Sequence, residues 1–124
     1  MDIQKLKISL EHIIEGFKRE VASLRTGRAT PALVEDIEVD CYGSTEERRR
    51  ELVKMLGKHT EEARIRIRRD REDALRDVDR REKAKEISED ERFRQKNDIQ
   101  KLVDEVNKKI EDSAAAKEKE IMTV

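Results

Sequence analysis

The chain has 124 residues, one domain's worth of sequence, and 48% of them are charged while 2% are aromatic and 35% hydrophobic. That composition leaves too little apolar material for a wide core and argues against a sandwich or an α/β fold, whereas four glycines and a single proline leave long helices uninterrupted. A formal net charge of −1 gives the molecule no global attraction to nucleic acid, so any such function must rest on a local patch.

In the first segment Ile3, Leu6, Leu10, Ile13, Ile14, Phe17, Val21 and Leu24 advance by threes and fours, one face of an amphipathic helix. The spacing predicts helix one from about Asp2 to about Thr26, with Asp2 as N-cap, Gly27 as the residue after the C-cap and Arg25 in the last turn, where a cation complements the helix dipole. A connection over 27–44 follows, and within it Ile37 to Tyr42 is a short β-like run with no second strand to pair with. Thr45, Glu46 and Glu47 then open helix two, about 45–82, with Leu52, Leu56, Ala63, Ile67, Ala74 and Val78 on its apolar stripe. His59 falls within that stripe, as does Asp70, where an apolar residue is wanted. Asp70 reads either as a local defect that reaches water or as a buried carboxylate paired with an arginine of helix one or three.

Ser88 and Glu91 form a capping box, and helix three runs from Glu89 to about 121 on a stripe of Phe93, Ile99, Leu102, Val103, Val106, Ile110, Ala114 and Ile121. The connection from Lys83 to Ser88 is short enough to make helices two and three antiparallel neighbours, with helix one over their seam. The expected fold is all-α, an elongated three-helix bundle in one domain spanning 1–124, and a monomer.

Catalytic chemistry has little to stand on. His12 and His59 are the only imidazoles, each read as structural, and the lone Cys41 allows no intrachain disulfide and no metal site by itself. No phosphate loop, CxxC pair or HExxH spacing occurs, so no catalytic residue, metal or cofactor is expected. The lack of a leader or an apolar run of about 20 residues predicts no membrane association and a cytoplasmic location, without excluding an organelle.

The charge pattern has one exception. In "ARIRIRRDRE", residues 63–72, Arg64, Arg66, Arg68, Arg69 and Arg71 stand against Asp70 alone before Glu72, and Arg64, Arg68 and Arg71 share a helix face at i, i+4 and i+7. Guanidinium groups bind phosphate bidentately, so such a row suits a nucleic-acid backbone, and the lack of interleaved aromatics leaves shape and phosphate as the features recognised. The bland reading is a solvated helix face salt-bridged to its neighbours. Arginines on either side of Gly27, Arg25 and Arg28, combine backbone freedom with phosphate-binding groups.

Taken together, "LRTGRATPAL" at 24–33, "YGS" at 42–44, "TEERRRELV" at 45–53, "EEARIRIRR" at 61–69, "EISEDE" at 86–91, "DIQKLVDEVNKKIE" at 98–111 and "KEKEIM" at 117–122 resemble the ribosome recycling factor family, in order and over almost the whole chain. In that family a β-rich domain is inserted between the Y-G turn and T-E-E-R-R, whereas here Gly43 is followed at once by Ser44 and Thr45. The resemblance implies that this chain corresponds to the helical domain alone and that the run before Gly43 is a remnant of the absent one. It implies a hinge at Gly27, Ala29, Thr30 and Pro31, and rRNA binding on the large ribosomal subunit by Arg25, Arg28, Arg64, Arg68, Arg69 and Arg71. It further implies a translocase-type GTPase elongation factor as partner, and action after translation termination with no bond made.

The family pattern resembles R-N-x-R-R with an apolar x. Arg68 and Arg71 keep it, while Arg69, Asp70 and Glu72 replace the amide, the apolar residue and the last arginine. Without the β-rich domain, anchoring is expected to survive and subunit splitting to fail or weaken. The residues alone leave two other classes open, a charged helical adaptor for protein partners and a scaffold without RNA activity.

Overall fold

The computed structural model describes residues 2–24 and 45–123. Three helices account for nearly all of them: α1, Ile3–Ala22; α2, Thr45–Lys83; and α3, Glu89–Thr123. Among the described residues there is no strand, and the all-α bundle expected from composition and periodicity is what forms. The β-like run Ile37 to Tyr42, the cap at Gly27 and the lone Cys41 lie outside the described residues.

Each helix begins as its sequence dictates. Asp2 sits in extended backbone before α1, and its Oδ1 accepts the Lys5 backbone N–H at 2.8 Å. Ser88 Oγ accepts from the Glu91 backbone N–H at 3.1 Å to start α3, whose first turn is acidic. The end of α1 departs from expectation. The helix stops at Ala22 rather than near Thr26, because Ser23 and Leu24 tighten into a final turn: Leu24 N–H bonds the Val21 carbonyl at 3.1 Å and Ser23 Oγ donates to the Glu20 carbonyl at 2.6 Å. Arg19, not Arg25, is the basic residue of that last turn.

The α2–α3 connection closes as a Schellman motif. Glu86 N–H reaches the Arg81 carbonyl at 2.8 Å and Lys85 N–H the Glu82 carbonyl at 2.9 Å, with Lys85 at φ 61° in the left-handed position that glycine usually fills. The tight turn makes α2 and α3 antiparallel, and α1 packs against both. Contacts from Ser9 to Asp70 and from Glu20 to His59 run α1 antiparallel to α2.

The core is a single seam. Leu6, Leu10 and Phe17 of α1, Leu52, Ile67 and Ala74 of α2, and Ile99, Val103 and Ile110 of α3 are all buried, and no polar or charged residue joins them. Two stripe residues are exceptions. Ile3 is 38% exposed in the first turn of α1, and Phe93 is 70% exposed. Phe93 lies six residues before Ile99, about 240° around the helix at 3.6 residues per turn, and so points away from the seam. The true continuation of the stripe toward the turn is Lys96 and Arg92, at steps of three and four. Their charges meet α2 instead of apolar side chains: Lys96 Nζ lies 2.8 Å and Arg92 Nε 3.0 Å from Asp79 Oδ1, and Arg92 Nε 2.8 Å from Glu82 Oε2.

This substitution of charge for hydrocarbon follows from helix length. At 1.5 Å per residue α1 spans about 30 Å, while the 39 residues of α2 span about 58 Å. Since Ser9 stands opposite Asp70, α1 ends near Arg76, and the hairpin beyond it has only two helices to share a core. Ion pairs close that end. They hold the Asp79 carboxyl below its ordinary range, first through hydrogen bonds from Lys96 and Arg92.

Candidate functional site

The arginine run lies in the middle of α2, a rigid stretch anchored by Ile67 at 1% exposure. Its five guanidinium groups differ in what holds them. Arg64 Nη2 is 3.5 Å from Glu111 Oε1 of α3. Arg71 Nε donates to Gln100 Oε1 of α3 at 3.0 Å, and its Nη1 lies 3.0 Å from Glu72 Oε1. Both reach across the α2–α3 seam, as their shared face requires. Arg66, Arg68 and Arg69 are exposed and have no partner among the described residues.

The row proposed from i, i+4 and i+7 spacing thus divides. Arg64 and Arg71 are tethered to α3, and Arg68 between them is open. The tethers are weak, since the Arg64 and Glu111 side chains are 44% and 60% exposed, and exposed pairs of this kind contribute about 0–1 kcal/mol. Arg69 on the neighbouring outer face and Arg66 on the side nearer α1 complete the set of free cations. Arg66, which is off the proposed row, has as good a claim as Arg68. Its signal in the sequence was the density of the run rather than its periodicity. Glu72 acts on the run as its charge dictates, drawing Arg71 toward itself.

Arg25 and Arg28, together with the proposed hinge residues Gly27, Ala29, Thr30 and Pro31, lie outside the described residues.

Asp70 is neither sunk in the core nor paired with an arginine. It is half-buried, and Ser9 Oγ of α1 donates a short hydrogen bond to its Oδ2. Of the two sequence readings, the arginine-paired one does not hold among the described residues: the partner is a hydroxyl, because Asp70 sits on the α1 side of the stripe, where Ser9 comes opposite. About three turns toward the start of α2, His59 also meets α1: its Nδ1 lies 3.0 Å from Glu20 Oε2 and 3.9 Å from Glu62 Oε2. His12 is exposed. Among the described residues no helix is long and apolar enough to cross a membrane.

The sequence profile of the ribosome recycling factor family matches residues 43–122, which include all of α2 and nearly all of α3. The chain is similar to the ribosome-recycling factor of Symbiobacterium thermophilum, 33% identical over 173 aligned positions that cover 93% of this chain and 94% of the relative. It is likewise similar to those of Chlorobaculum parvum, 31% identical with 98% and 97% covered, and of a Picosynechococcus species, 31% identical with 100% of each covered. Alignments of 173 to 182 positions exceed the 124 residues present, so each opens gaps on the side of this chain. With both the profile and whole-length relatives in agreement, this chain belongs to the ribosome recycling factor family.

Proposed function

We propose that this protein binds the large ribosomal subunit through rRNA phosphates after translation termination, and that it does not by itself split the subunits. The observation that carries the reading is the set of unpaired, exposed arginines on the rigid middle of α2, in a chain of this family. Arg66, Arg68 and Arg69 are its principal contacts. Arg64 and Arg71 join them by exchanging weak protein partners for phosphate, and Arg25 and Arg28 extend the surface beside a hinge at Gly27, Ala29, Thr30 and Pro31. Guanidinium groups fixed on a helix lose little entropy on meeting a phosphate, which favours anchoring.

The splitting defect rests on the length of the chain. Its relatives carry residues with no counterpart here, and the family profile begins to match at Gly43, beside the point where the resemblance places an inserted β-rich domain. In this reading the work of the family is mechanical. One domain is anchored and the other moved by a translocase-type GTPase elongation factor, and an anchored helical domain alone has nothing to push with.

The test is binding to isolated large subunits across a salt titration, beside a splitting assay with the elongation factor and GTP. Replacing Arg68 and Arg69 together by Ala should weaken binding and lower the salt slope by about 1.5 to 2, somewhat under one per lost phosphate contact. Replacing Arg64 and Arg71 should do less, since each has a protein partner to leave. Binding by the Arg68 and Arg69 double variant equal to the parent's at physiological salt would refute the arginine site.

A second reading, a helical adaptor for protein partners, is favoured by Phe93, an aromatic ring 70% exposed on α3. Apolar anchoring would be nearly insensitive to salt and would be lost in Phe93→Ala.

A further inference from the structure

Glu20, His59 and Glu62 form a three-residue cluster that bridges α1 and α2 and that the proposed ribosomal function does not use. His59 and Glu62 stand at i and i+3, one turn apart on the same side of α2, and Glu20 reaches them from the last turns of α1. One ligand atom from each lies within 4.8 Å of the others. The side chains are half-buried, at 34%, 26% and 41% exposure for Glu20, His59 and Glu62, so they are partly screened from bulk water without being sealed from it.

The state of the imidazole is the telling detail. His59 Nδ1 is buried and lies 3.0 Å from Glu20 Oε2, yet the two are not aligned as a hydrogen bond, and the nitrogen has no hydrogen-bond partner among the described residues. A buried ring nitrogen left so is costly. A cation between the nitrogen and the carboxylates removes that cost, because the neutral imidazole then gives its lone pair to the metal and the two carboxylates are neutralised together.

We propose that Glu20, His59 and Glu62 bind a divalent transition cation of the Zn2+ class, which clamps the end of α1 to α2. Zn–N and Zn–O bonds of about 2.0–2.2 Å set tetrahedral ligand atoms roughly 3.4 Å apart. The observed separations of 3.0 and 3.9 Å from His59 Nδ1 bracket that value, and rotation of two flexible glutamate side chains closes the rest. One imidazole with two carboxylates suits Zn2+ better than Mg2+ or Ca2+, which favour all-oxygen shells of six or more ligands. Three protein ligands leave the fourth position to water. The clamp falls near the last turn of α1 and about four turns inside α2, so an ion there fixes α1 against α2.

The experiment uses the full chain stripped with chelator, titrated with ZnCl2 alone by calorimetry and followed by thermal unfolding. One ion per chain and a midpoint that climbs with Zn2+ are expected, since a ligand of the native state stabilises by mass action. MgCl2 at the same concentration should leave the midpoint unchanged. Glu62→Gln, which keeps the shape and removes the charge, should weaken Zn2+ binding at least tenfold, His59→Ala should abolish it, and His12→Ala should leave it intact. No binding by the parent, or equal binding by the Glu62→Gln and His59→Ala variants, would overturn the site. Loss of binding in His12→Ala would move it elsewhere and overturn it equally.

Discussion

The hydrogen bond between Ser9 and Asp70 is a polar tie across the packing of α1 on α2, and its strength can be read from a double-mutant cycle of Ser9→Ala and Asp70→Val. A hydrogen bond to a charged group contributes about 1.5–3 kcal/mol, and the lower end applies to a half-buried carboxylate that keeps some water. Ser9→Ala forfeits about 1.5 kcal/mol and regains about 0.5 kcal/mol in helix propensity, a net loss of about 1 kcal/mol. Asp70→Val is close to neutral. Valine and aspartate have similar helix propensity, the new side chain joins the stripe between Ile67 and Ala74, and the freed serine hydroxyl can turn back to a carbonyl of its own helix. The double variant should be more stable than the parent by about 1 kcal/mol, roughly 4 °C in the unfolding midpoint for a domain of this size, because both polar partners are replaced together. The coupling between the sites is then about 2 kcal/mol. Urea and thermal unfolding of the four proteins measures it. A coupling under about 0.3 kcal/mol, or a Ser9→Ala variant as stable as the parent, would show that solvent satisfies the carboxylate.

Lys85 occupies a left-handed conformation that costs a side-chain-bearing residue about 1–2 kcal/mol, so Lys85→Gly should raise stability by about 0.5–1 kcal/mol once the greater chain entropy of glycine is counted, seen as a higher urea midpoint. Asp79 is held below its ordinary pKa of 3.8 by Lys96 and Arg92, so the stability it contributes is complete above that value and lost as pH falls through its lower folded value. The difference in urea midpoint between the parent and Asp79→Asn should therefore be full at pH values well above the ordinary 3.8 and vanish in acid below the lowered folded value. Phe93→Gln should change stability by less than about 0.5 kcal/mol, whereas Phe17→Ala, at a ring only 2% exposed, should cost about 3–5 kcal/mol by the same thermal assay.

The bundle was legible because its signals are local and redundant. The stripe of α1, the Asp2 cap and the box at Ser88 each name a helix without reference to the others, and the short turn before Ser88 fixes which helices are neighbours. Phe93 was misplaced because an aromatic near a stripe was counted without its phase. The residues in phase, Arg92 and Lys96, are charged, and a periodicity search passes over them. The Schellman turn went unread for a related reason: its signal is a glycine, and lysine stands there instead.

Pairing across helices was the part the sequence could not disclose. The spacing of Arg64, Arg68 and Arg71 correctly puts them on one face, but that face borders α3, and only the register of α2 against α3 decides that Glu111 and Gln100 come opposite two of the three. The same holds for Asp70, whose partner is 61 residues away in α1. His59 and Glu62 show their i and i+3 relation in the sequence, and Glu20 joins them only because α1 runs antiparallel to α2.

Register also bears on how a helical domain can stand alone in a family whose relatives are longer. The buried core reaches Leu24 at one edge of residues 25–44 and Leu52 near the other, at 5% and 2% exposure. Side-chain contacts between α1 and α2, Ser9 with Asp70 and Glu20 with His59, tie together the two helices that the segment connects. The described residues on either side of that segment are therefore held by packing on the bundle itself, which is the condition under which a domain can be inserted or absent between two points of a fold without disturbing the core. In the proposed function the same arrangement separates the two tasks in space. The arginines that anchor lie at mid-helix on α2, about 30 Å from its first residue at 1.5 Å per residue, and the segment where a moving domain would attach lies before that residue. On that proposal a missing second domain leaves the anchor's geometry intact, and retained binding with failed splitting is the outcome the binding and splitting assays should give.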